Sequence, residues 1–305
     1  MTQPLYRTLN AFLRQRYGKR IQKITLDAGL TCPHRDSAGQ GGCTYCNASG
    51  SGTGAFSRGL SLRAQIETQM KAASTRYRAG GFIAYFQSYS NTHAPVEQLK
   101  TIYDHILDYP EIVGLAIGTR PDCIDGEKLS LIAGYSPDRL VWIEYGLQSA
   151  SDETLLMINR GHDVQTFIDA VHLTSAYPLR QCAHVIIGLP GEGLDQYLQT
   201  ARLISSLPVT DIKIHLLYVI RSTPLEALYR NGTYQPLTLE EYARAVALFI
   251  SFLREDIVIQ RITGDPHPEE LVAPLWAREK NRVRECIHQS LVELDLRQGT
   301  NYRET

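Results

Sequence analysis

Apolar runs alternate with helix-length segments through most of this chain of 305 residues. Runs that are apolar on both faces are typical of buried parallel strands, and parallel neighbours need a long crossover connection, usually a helix. The pattern therefore predicts an α/β fold with a parallel sheet and helices outside it. The predicted strands are 21–26, 82–86, 112–117, 140–147, 183–189, 212–220 and 257–262, and the predicted helices are 4–17, 61–78, 95–108, 163–176 and 194–206.

The number of repeating units leaves two architectures open. About six βα units precede the C-terminal region, and either a doubly wound sheet or an open barrel would accommodate them. A cysteine-rich loop directly after the first predicted strand favours the barrel. The expected organisation is a single domain over 1–305, with a helical extension at 1–20, a barrel core at 21–222 and a C-terminal extension at 223–305.

The cysteine-rich loop gathers Cys32, Cys43 and Cys46 in a stretch with several glycines. Three thiols without an obvious fourth partner suit a metal centre that keeps one coordination position open. The pair Cys43-x-x-Cys46 alone is common to zinc sites, redox motifs and iron–sulfur clusters. A zinc site with His34 as the fourth ligand is therefore the alternative. The remaining cysteines are expected to be packing residues: Cys123, Cys182 and Cys286.

Polar residues follow the predicted strands at the points where the strands end. In parallel α/β folds the carboxyl ends of the strands converge on one mouth, so these residues are expected to surround a cofactor. A charged side chain within a buried strand is costly unless it is paired, and Glu144 is such a residue. We interpret Glu144 as a ligand-facing group, with a structural salt bridge as the alternative. The polar segments are 87–92, 118–122, 144–148, 186–192 and 218–222.

The spacing C-x10-C-x2-C resembles the cluster loop of radical S-adenosylmethionine (SAM) enzymes, in the long-spaced form of the Elongator catalytic subunit. Further segments resemble parts of that radical domain in the same order. They are GTRPD at 118–122, EYGLQ at 144–148, NRGH at 159–162, IGLPG at 187–191 and VIRST at 219–223. The resemblance to the YhcC-like family of compact bacterial radical-SAM proteins is closer and runs almost end to end. It also includes QRITGD at 260–265 and APLW at 273–276.

This resemblance implies a partial (βα)6 TIM-like barrel of the radical SAM type with N- and C-terminal helical extensions. It also implies a [4Fe-4S] cluster on Cys32, Cys43 and Cys46, whose fourth iron chelates SAM. Reduction by an electron donor such as flavodoxin or ferredoxin would cleave SAM to methionine and a 5′-deoxyadenosyl radical, which abstracts hydrogen from the substrate.

The resemblance further implies a set of SAM contacts. Tyr45 is expected to pack against the adenine, and Gly188 to bring backbone close to it. Glu144 is expected to contact polar groups of SAM. Gln87, Ser88 and Thr92 occupy the place where many members of the superfamily bind the SAM amino group. The full predicted set is Tyr45, Gln87, Ser88, Thr92, Glu144, Gln148, Gly188 and Tyr218.

The expected substrate is a wobble uridine in tRNA, because the Elongator resemblance points there. Formal net charge is only −1, so RNA would have to meet a local basic patch. The first 24 residues supply basic side chains and no acidic ones: Arg7, Arg14, Arg16, Lys19, Arg20 and Lys23. The alternatives are a radical enzyme for a small molecule such as a porphyrinogen, and a zinc-stabilised interaction protein without enzymatic activity.

A cytoplasmic protein without a membrane anchor is expected. The N-terminus lacks the uninterrupted apolar core of a signal peptide, and the apolar patch at 245–253 is too short to span a bilayer.

Overall fold

Seven parallel strands form one curled sheet that makes up most of a barrel wall. A computed structural model describes residues 4–36, 39, 41–47, 50 and 52–304. The sheet strands, in spatial order, are β1 (Ile21–Leu26), β2 (Gly81–Phe86), β3 (Ile112–Thr119), β4 (Leu140–Gln148), β5 (Arg180–Ile187), β6 (Asp211–Leu216) and β8 (Val258–Arg261). The predicted α/β fold with a partial barrel is confirmed, and all seven predicted runs contribute a strand to this sheet.

Helices cover the outer face of the sheet, and further helices lie at the two ends of the chain. Between the strands lie α2 (Leu62–Tyr77), α3 (Val96–Asp104), α4 (Gly126–Ala133), α5 (Asp152–Met157), α6 (Val164–Thr174), α7 (Leu194–Ser206), α8 (Pro224–Arg230) and α9 (Leu239–Ser251). The end helices are α1 (Leu9–Tyr17) and α10 (Lys280–Glu293). The strand β8 comes from the segment that the sequence assigned to the C-terminal extension, so this segment helps to build the barrel wall.

Two predicted boundaries are wrong, for local reasons. Helix α1 begins at Leu9 rather than at residue 4, because the Thr8 hydroxyl caps it by accepting a hydrogen bond from the amide of Ala11 at 3.2 Å. The predicted strand 212–220 is two elements. After β6, the chain leaves the sheet and forms β7 (Val219–Ile220), which pairs antiparallel with β9 (Leu271–Ala273).

Side chains alternate between the two faces of the barrel wall, as the period of two in a strand requires. On β4, Ile143, Tyr145 and Leu147 belong to the large apolar core between sheet and helices. Trp142 belongs instead to a separate cluster inside the barrel, and Glu144 forms ion pairs there. The sheet is therefore buried on both faces, with apolar packing outside and mixed chemistry inside.

Helix α1 closes the N-terminal end of the barrel. Leu13 is 3% exposed and packs in one cluster with Ile21 and Trp142. The hydroxyl of Tyr17 donates to the carbonyl of Val113 at 3.1 Å, close to the start of β3. Since the cysteine loop follows the opposite end of β1, the basic residues of α1 lie at the far end of the barrel from that loop.

The predicted basic surface at the N-terminus is wrong for Lys23. Its side chain lies inside the barrel, is 15% exposed, and places Nζ 2.7 Å from Oε1 of Glu144. The reason is the strand alternation: Ile24 and Leu26 fill the outer core, so Lys23 must face inward. The same ammonium donates to Oε1 of Gln260 at 2.7 Å and so bridges β1 and β8, the two edges of the sheet.

In the part of the chain that the structure describes, none of the helices has the length and apolar character that crossing a membrane requires.

We predict that Leu13→Ala lowers the free energy of unfolding by about 2–5 kcal/mol, because it leaves a cavity beneath the barrel that the surrounding strands cannot fill. Denaturant unfolding measures this, with the slope unchanged. Leu156→Ala is the control, since Leu156 is 83% exposed and its truncation should have little effect. Equal losses for the two variants would contradict the role of α1 as a barrel plug.

Candidate active site

A cavity of about 700 Å³ opens at the C-terminal end of the barrel. The three predicted ligands Cys32, Cys43 and Cys46 all line it. Five of the predicted SAM contacts line the same cavity: Tyr45, Gln87, Glu144, Gln148 and Tyr218. The fold therefore brings most of the predicted site together from loops and strands that lie far apart in the sequence.

The cysteine loop is held in shape by backbone turns and by one arginine. The amide of Cys46 bonds the carbonyl of Cys43 at 3.0 Å, which forms a tight turn between the two thiols. The guanidinium of Arg35 donates to the carbonyls of Cys46 and Asn47 at 3.2 and 2.7 Å. Thr44 anchors the loop to the protein body, since its amide bonds the carbonyl of Ile158 at 3.0 Å. The thiols are thus presented by a braced loop.

The arrangement of the thiols does not match the zinc alternative. Among the described residues, the three cysteine sulfurs and the His34 ring do not form a group whose ligand atoms lie within 4.8 Å of one another. A tetrahedral zinc ion with bonds of about 2.3 Å would hold its sulfurs roughly 3.8 Å apart. The ring of His34 packs instead against Gly161.

Arg160 places a buried positive charge against the cysteine loop. The residue is 7% exposed, and its Nη1 lies 3.5 Å from Sγ of Cys43. Its Nη2 donates to the carbonyl of Gly146 at 2.8 Å, and a Cβ at Gly146 would lie only 2.6 Å from that nitrogen. A side chain at position 146 would therefore have to displace this guanidinium. Arg120 donates to the carbonyl of Arg160 at 2.7 Å and pairs with Asp122 at 2.7 Å, which fixes the segment from behind.

The electrostatics of the loop suit an anionic centre. Burial raises the pKa of Cys46, the nearby Cys43 raises it further, and Arg35 opposes both. Deprotonated thiols here need compensating positive charge, which Arg160 and Arg35 supply. Nε of Arg160 is a buried donor without a partner among the described residues. The residues present therefore fit a thiolate-ligated iron–sulfur cluster.

Three predicted SAM contacts lie outside the residues that line the cavity. The hydroxyl of Thr92 bonds that of Thr119 at 2.6 Å and the carbonyl of Cys123 at 2.7 Å. The amide of Gly188 donates to the hydroxyl of Tyr197, and its carbonyl accepts from Tyr234. Ser88 is buried, and its hydroxyl has no partner in the described part of the chain. Contacts of these three residues with SAM stay predictions.

Glu144 is the centre of an ion-pair cluster inside the barrel. Its Oε1 lies 2.7 Å from Nζ of Lys23, and its Oε2 accepts from Nε2 of His184 at 2.9 Å and pairs with Lys213. Both ammonium groups also lie over the ring of Tyr85, at 4.8 Å for Lys23 and 3.8 Å for Lys213. The cavity lies above a carboxylate whose two oxygens already have partners. A contact of Glu144 with SAM stays a prediction.

The charges of this cluster control its protonation. Burial alone would raise the pKa of Glu144, but Lys213 and Lys23 hold it well below its usual range. Burial and the charge of Lys213 lower the pKa of His184 to about 4. Ligand atoms of Glu144, Cys182 and His184 lie within 4.8 Å of one another. Since two ammonium groups already neutralise the carboxylate, we interpret this group as an ion-pair cluster rather than a cation site.

The sequence analysis missed several residues that line the cavity, and Lys213 in the layer beneath it. Lys213 and His215 on β6 and His184 on β5 occupy alternate positions within apolar runs. This period of two was a signal for an inward polar face. Arg160 lies in the NRGH segment, which the sequence analysis quoted without giving this arginine a role. Arg261 ends β8 and lies in the QRITGD segment, which the sequence analysis also quoted without giving this arginine a role; its place in the sheet depends on a shift of register between β6 and β8.

Comparison with known proteins identifies the class. The family model described as the radical SAM superfamily matches residues 31–204, and the radical SAM C-terminal domain matches residues 209–293. The chain is 36% identical to YtqA of Bacillus subtilis over 98% of its own length and 93% of that protein. It is 35% identical to YhcC of Escherichia coli K12 over 90% of each chain.

Two further similarities reach larger proteins. The tRNA uridine(34) acetyltransferase of Dehalococcoides mccartyi is 28% identical over 64% of this chain and 41% of that protein. The solved structure of Elp3 from Methanocaldococcus infernus, with its N-terminus deleted, superposes with a TM-score of 0.72 at 16% identity. That superposition covers 91% of this chain and 64% of the Elp3 chain, so this chain spans less than two thirds of it.

The chain belongs to the radical SAM superfamily, and it is an enzyme of that class. The cofactors of the class are a [4Fe-4S] cluster and SAM. The predicted resemblance to the YhcC-like family is confirmed by the end-to-end similarity to YhcC.

We predict that Glu144→Gln lowers the free energy of unfolding by about 3–5 kcal/mol, because it leaves two buried ammonium groups without a counter-charge. Denaturant titration of the anaerobic protein measures the loss. Adding Lys213→Met to Glu144→Gln should recover part of it, which a double-mutant cycle detects. Glu67→Gln, which affects an exposed ion pair with Arg63 and an exposed hydrogen bond from Tyr109, is the control. A loss no larger than that of the control would show that the cluster does not stabilise the barrel.

Proposed function

We propose that this protein reductively cleaves SAM at a [4Fe-4S] cluster held by Cys32, Cys43 and Cys46, and that it acts on a uridine side chain in tRNA. The observation that carries the first part is the convergence of the three thiols on one cavity at the C-terminal ends of the barrel strands. The second part rests on the relatives named for tRNA uridine(34) chemistry and on the Elp3 fold.

The chain's own residues would hold and shield the cofactors. The three thiolates ligate three irons, and the fourth iron stays open for the amino and carboxylate groups of SAM. Arg160 and Arg35 balance negative charge beside Cys43 and Cys46 and keep the loop folded. When bound, the cluster supplies the electron that cleaves SAM. An external donor such as flavodoxin or ferredoxin would provide that electron to the cluster.

Polar side chains around the cavity are the proposed SAM contacts. Gln148 ends β4 with a φ of 76°, which is unfavourable for a residue with a Cβ and is often found at functional sites. Its amide makes no hydrogen bond to the residues that the structure describes, so it is available to a ligand. Tyr45 packs against the small apolar cluster that contains Leu155 and Ile158, which holds its ring for contact with the adenine.

RNA should approach the mouth of the barrel rather than its base. Arg14, Arg16 and Lys19 lie on or next to α1, at the end of the barrel opposite the cysteine loop. A nucleoside delivered to the radical site must enter the cavity at the C-terminal ends of the strands. We therefore propose an RNA contact at the mouth, in place of the contact that the sequence predicts for the basic residues of α1.

We predict that Cys32→Ala, Cys43→Ala and Cys46→Ala each abolish the reconstituted four-iron cluster, because the loss of one of three thiolates leaves it underligated. Iron and sulfide analysis after anaerobic reconstitution measures this. Cys123→Ala, Cys182→Ala and Cys286→Ala are matched controls and should retain iron. The ligand assignment fails if a control loses the cluster while one of the first three variants keeps it.

We predict that tRNA lacking the modification raises the rate at which the reconstituted enzyme forms 5′-deoxyadenosine from SAM. The tRNA comes from a strain with the gene deleted, and tRNA from the parent strain is the control. A nucleoside that differs between the two tRNA pools identifies the site of modification. If tRNA has no effect and a porphyrinogen stimulates the cleavage, the small-molecule alternative is correct.

We also predict that tRNA affinity falls steeply with added salt, because phosphate contacts release counterions. Replacing Arg14, Arg16 and Lys19 together by alanine should leave that slope unchanged, since these residues lie at the base of the barrel. Binding of purified tRNA across a salt series measures both slopes. A flatter slope in the triple variant would indicate that the basic residues of α1 contact the RNA.

A further inference from the structure

Arg261 is a cation in the barrel cavity that has no hydrogen-bond or ion-pair partner among the described residues. It ends β8, lies level with Lys213 of β6 in the sheet register, and lines the cavity. Its guanidinium makes no hydrogen bond or ion pair to any residue within the described ranges. By contrast, Arg120 and Arg160 donate to backbone carbonyls, and Lys213 pairs with Glu144. Arg261 thus presents unused donors to the space where a substrate would lie.

The imidazole of His215 is a second polar group in the cavity whose Nε2 has no hydrogen-bond partner among the described residues. It lies on β6 next to β8 and lines the same cavity, and its Nε2 is buried without a hydrogen-bond partner among the described residues. Its ring stacks near that of His184, with the ring centroids 5.2 Å apart. Buried polar atoms are rarely left unsatisfied in proteins unless a ligand or a water molecule completes them. His215 and Arg261 therefore form one incomplete site.

The charge around this site favours an anion. Among the described residues, the interior layer beside Arg261 contains two buried carboxylates: Glu144 pairs with Lys23 and Lys213, and Asp211 pairs with Arg180. Two acidic residues line the outer part of the cavity, and neither pairs with Arg261. Asp265 forms an ion pair with Lys280 at 2.8 Å, and Glu270 accepts from Nδ2 of Asn47 at 2.8 Å. The positive charge of Arg261 therefore has no paired carboxylate among the described residues.

We infer that the substrate of this enzyme carries a carboxylate or phosphate group, which Arg261 and His215 bind inside the barrel. A guanidinium with free N–H groups binds such oxyanions through two parallel hydrogen bonds, and imidazole can donate a third. This inference rests on the cavity being the substrate site proposed above. Its chemistry is common to a nucleotide phosphate and to the carboxylate of a small molecule, so the probes must separate the two.

The test uses the reconstituted, SAM-bound protein and two simple anions. Inorganic phosphate is followed by the broadening of its phosphorus resonance, and acetate by its methyl proton resonance, each over a concentration series. We expect saturable binding by the wild type and at least a tenfold loss of affinity in Arg261→Met. His215→Phe keeps an aromatic ring but removes the imidazole nitrogens, including Nε2. It should weaken anion binding by about threefold, as expected for the loss of one neutral hydrogen bond.

The control variant is Arg244→Met, which removes an exposed arginine of α9 outside the residues that line the cavity and should bind both anions like the wild type. Iron content and SAM affinity should be unchanged in Arg261→Met. Loss of SAM affinity in that variant would make Arg261 a SAM contact and overturn the inference. Equal anion affinity in Arg261→Met and wild type, or no saturable binding by the wild type, would also overturn it.

The two probes distinguish a phosphate group from a carboxylate group as the bound anion. Together with the tRNA experiment they also test the anion site and the tRNA proposal separately. Tighter binding of phosphate indicates a nucleotide group, and tighter binding of acetate indicates a carboxylate substrate. If tRNA does not stimulate SAM cleavage but Arg261→Met alone loses anion binding, the anion site stands while the tRNA proposal fails. If tRNA stimulates cleavage equally in wild type and Arg261→Met and anion binding is unchanged, only the anion site fails.

Discussion

A single buried carboxylate holds the interior of this barrel together. Glu144 on β4 receives Lys23 from β1, His184 from β5 and Lys213 from β6, so four strands of the curled sheet meet at one charge. Lys23 continues to Gln260 on β8 and thereby ties the two sheet edges together, although they do not pair through their backbones. The desolvation cost of these ions is large, and only their mutual pairing offsets it.

The barrel interior changes character along its axis, and this change separates stability from chemistry. At the base, Leu13 of α1 packs on Ile21 and Trp142 in an apolar layer. The ion-pair cluster lies in the next layer. Above it the cavity opens, lined by the cysteine loop, Gln148 and Arg261. Charged side chains in the middle layer are therefore shielded from solvent below and face the cavity above.

The mouth of the barrel depends on contacts between segments that are distant in the chain. Arg160 follows α5, yet it bonds the carbonyl of Gly146 on β4 and approaches the sulfur of Cys43. Thr44 connects the same loop to Ile158 and, through its carbonyl, to the amide of Leu225. The loop that presents the thiols is thus held by the barrel as well as by its own short turns. All of these residues except Leu225 lie within 31–204, the range that matches the radical SAM superfamily, and Leu225 lies in the range that matches the C-terminal domain.

The sequence by itself determined the βα alternation and the three-cysteine loop, because periodicity and ligand spacing are local properties of the chain. Its resemblance to a known family indicated the class of enzyme. It also indicated that Glu144 would need partners. Only the tertiary structure decided that Lys23 faces inward to meet it, that α1 closes the base far from the cysteines, and that Arg261 reaches the cavity. These outcomes depend on strand register, where a shift of one residue reverses the face that a side chain occupies. Register follows from packing across the whole sheet, which no short segment encodes.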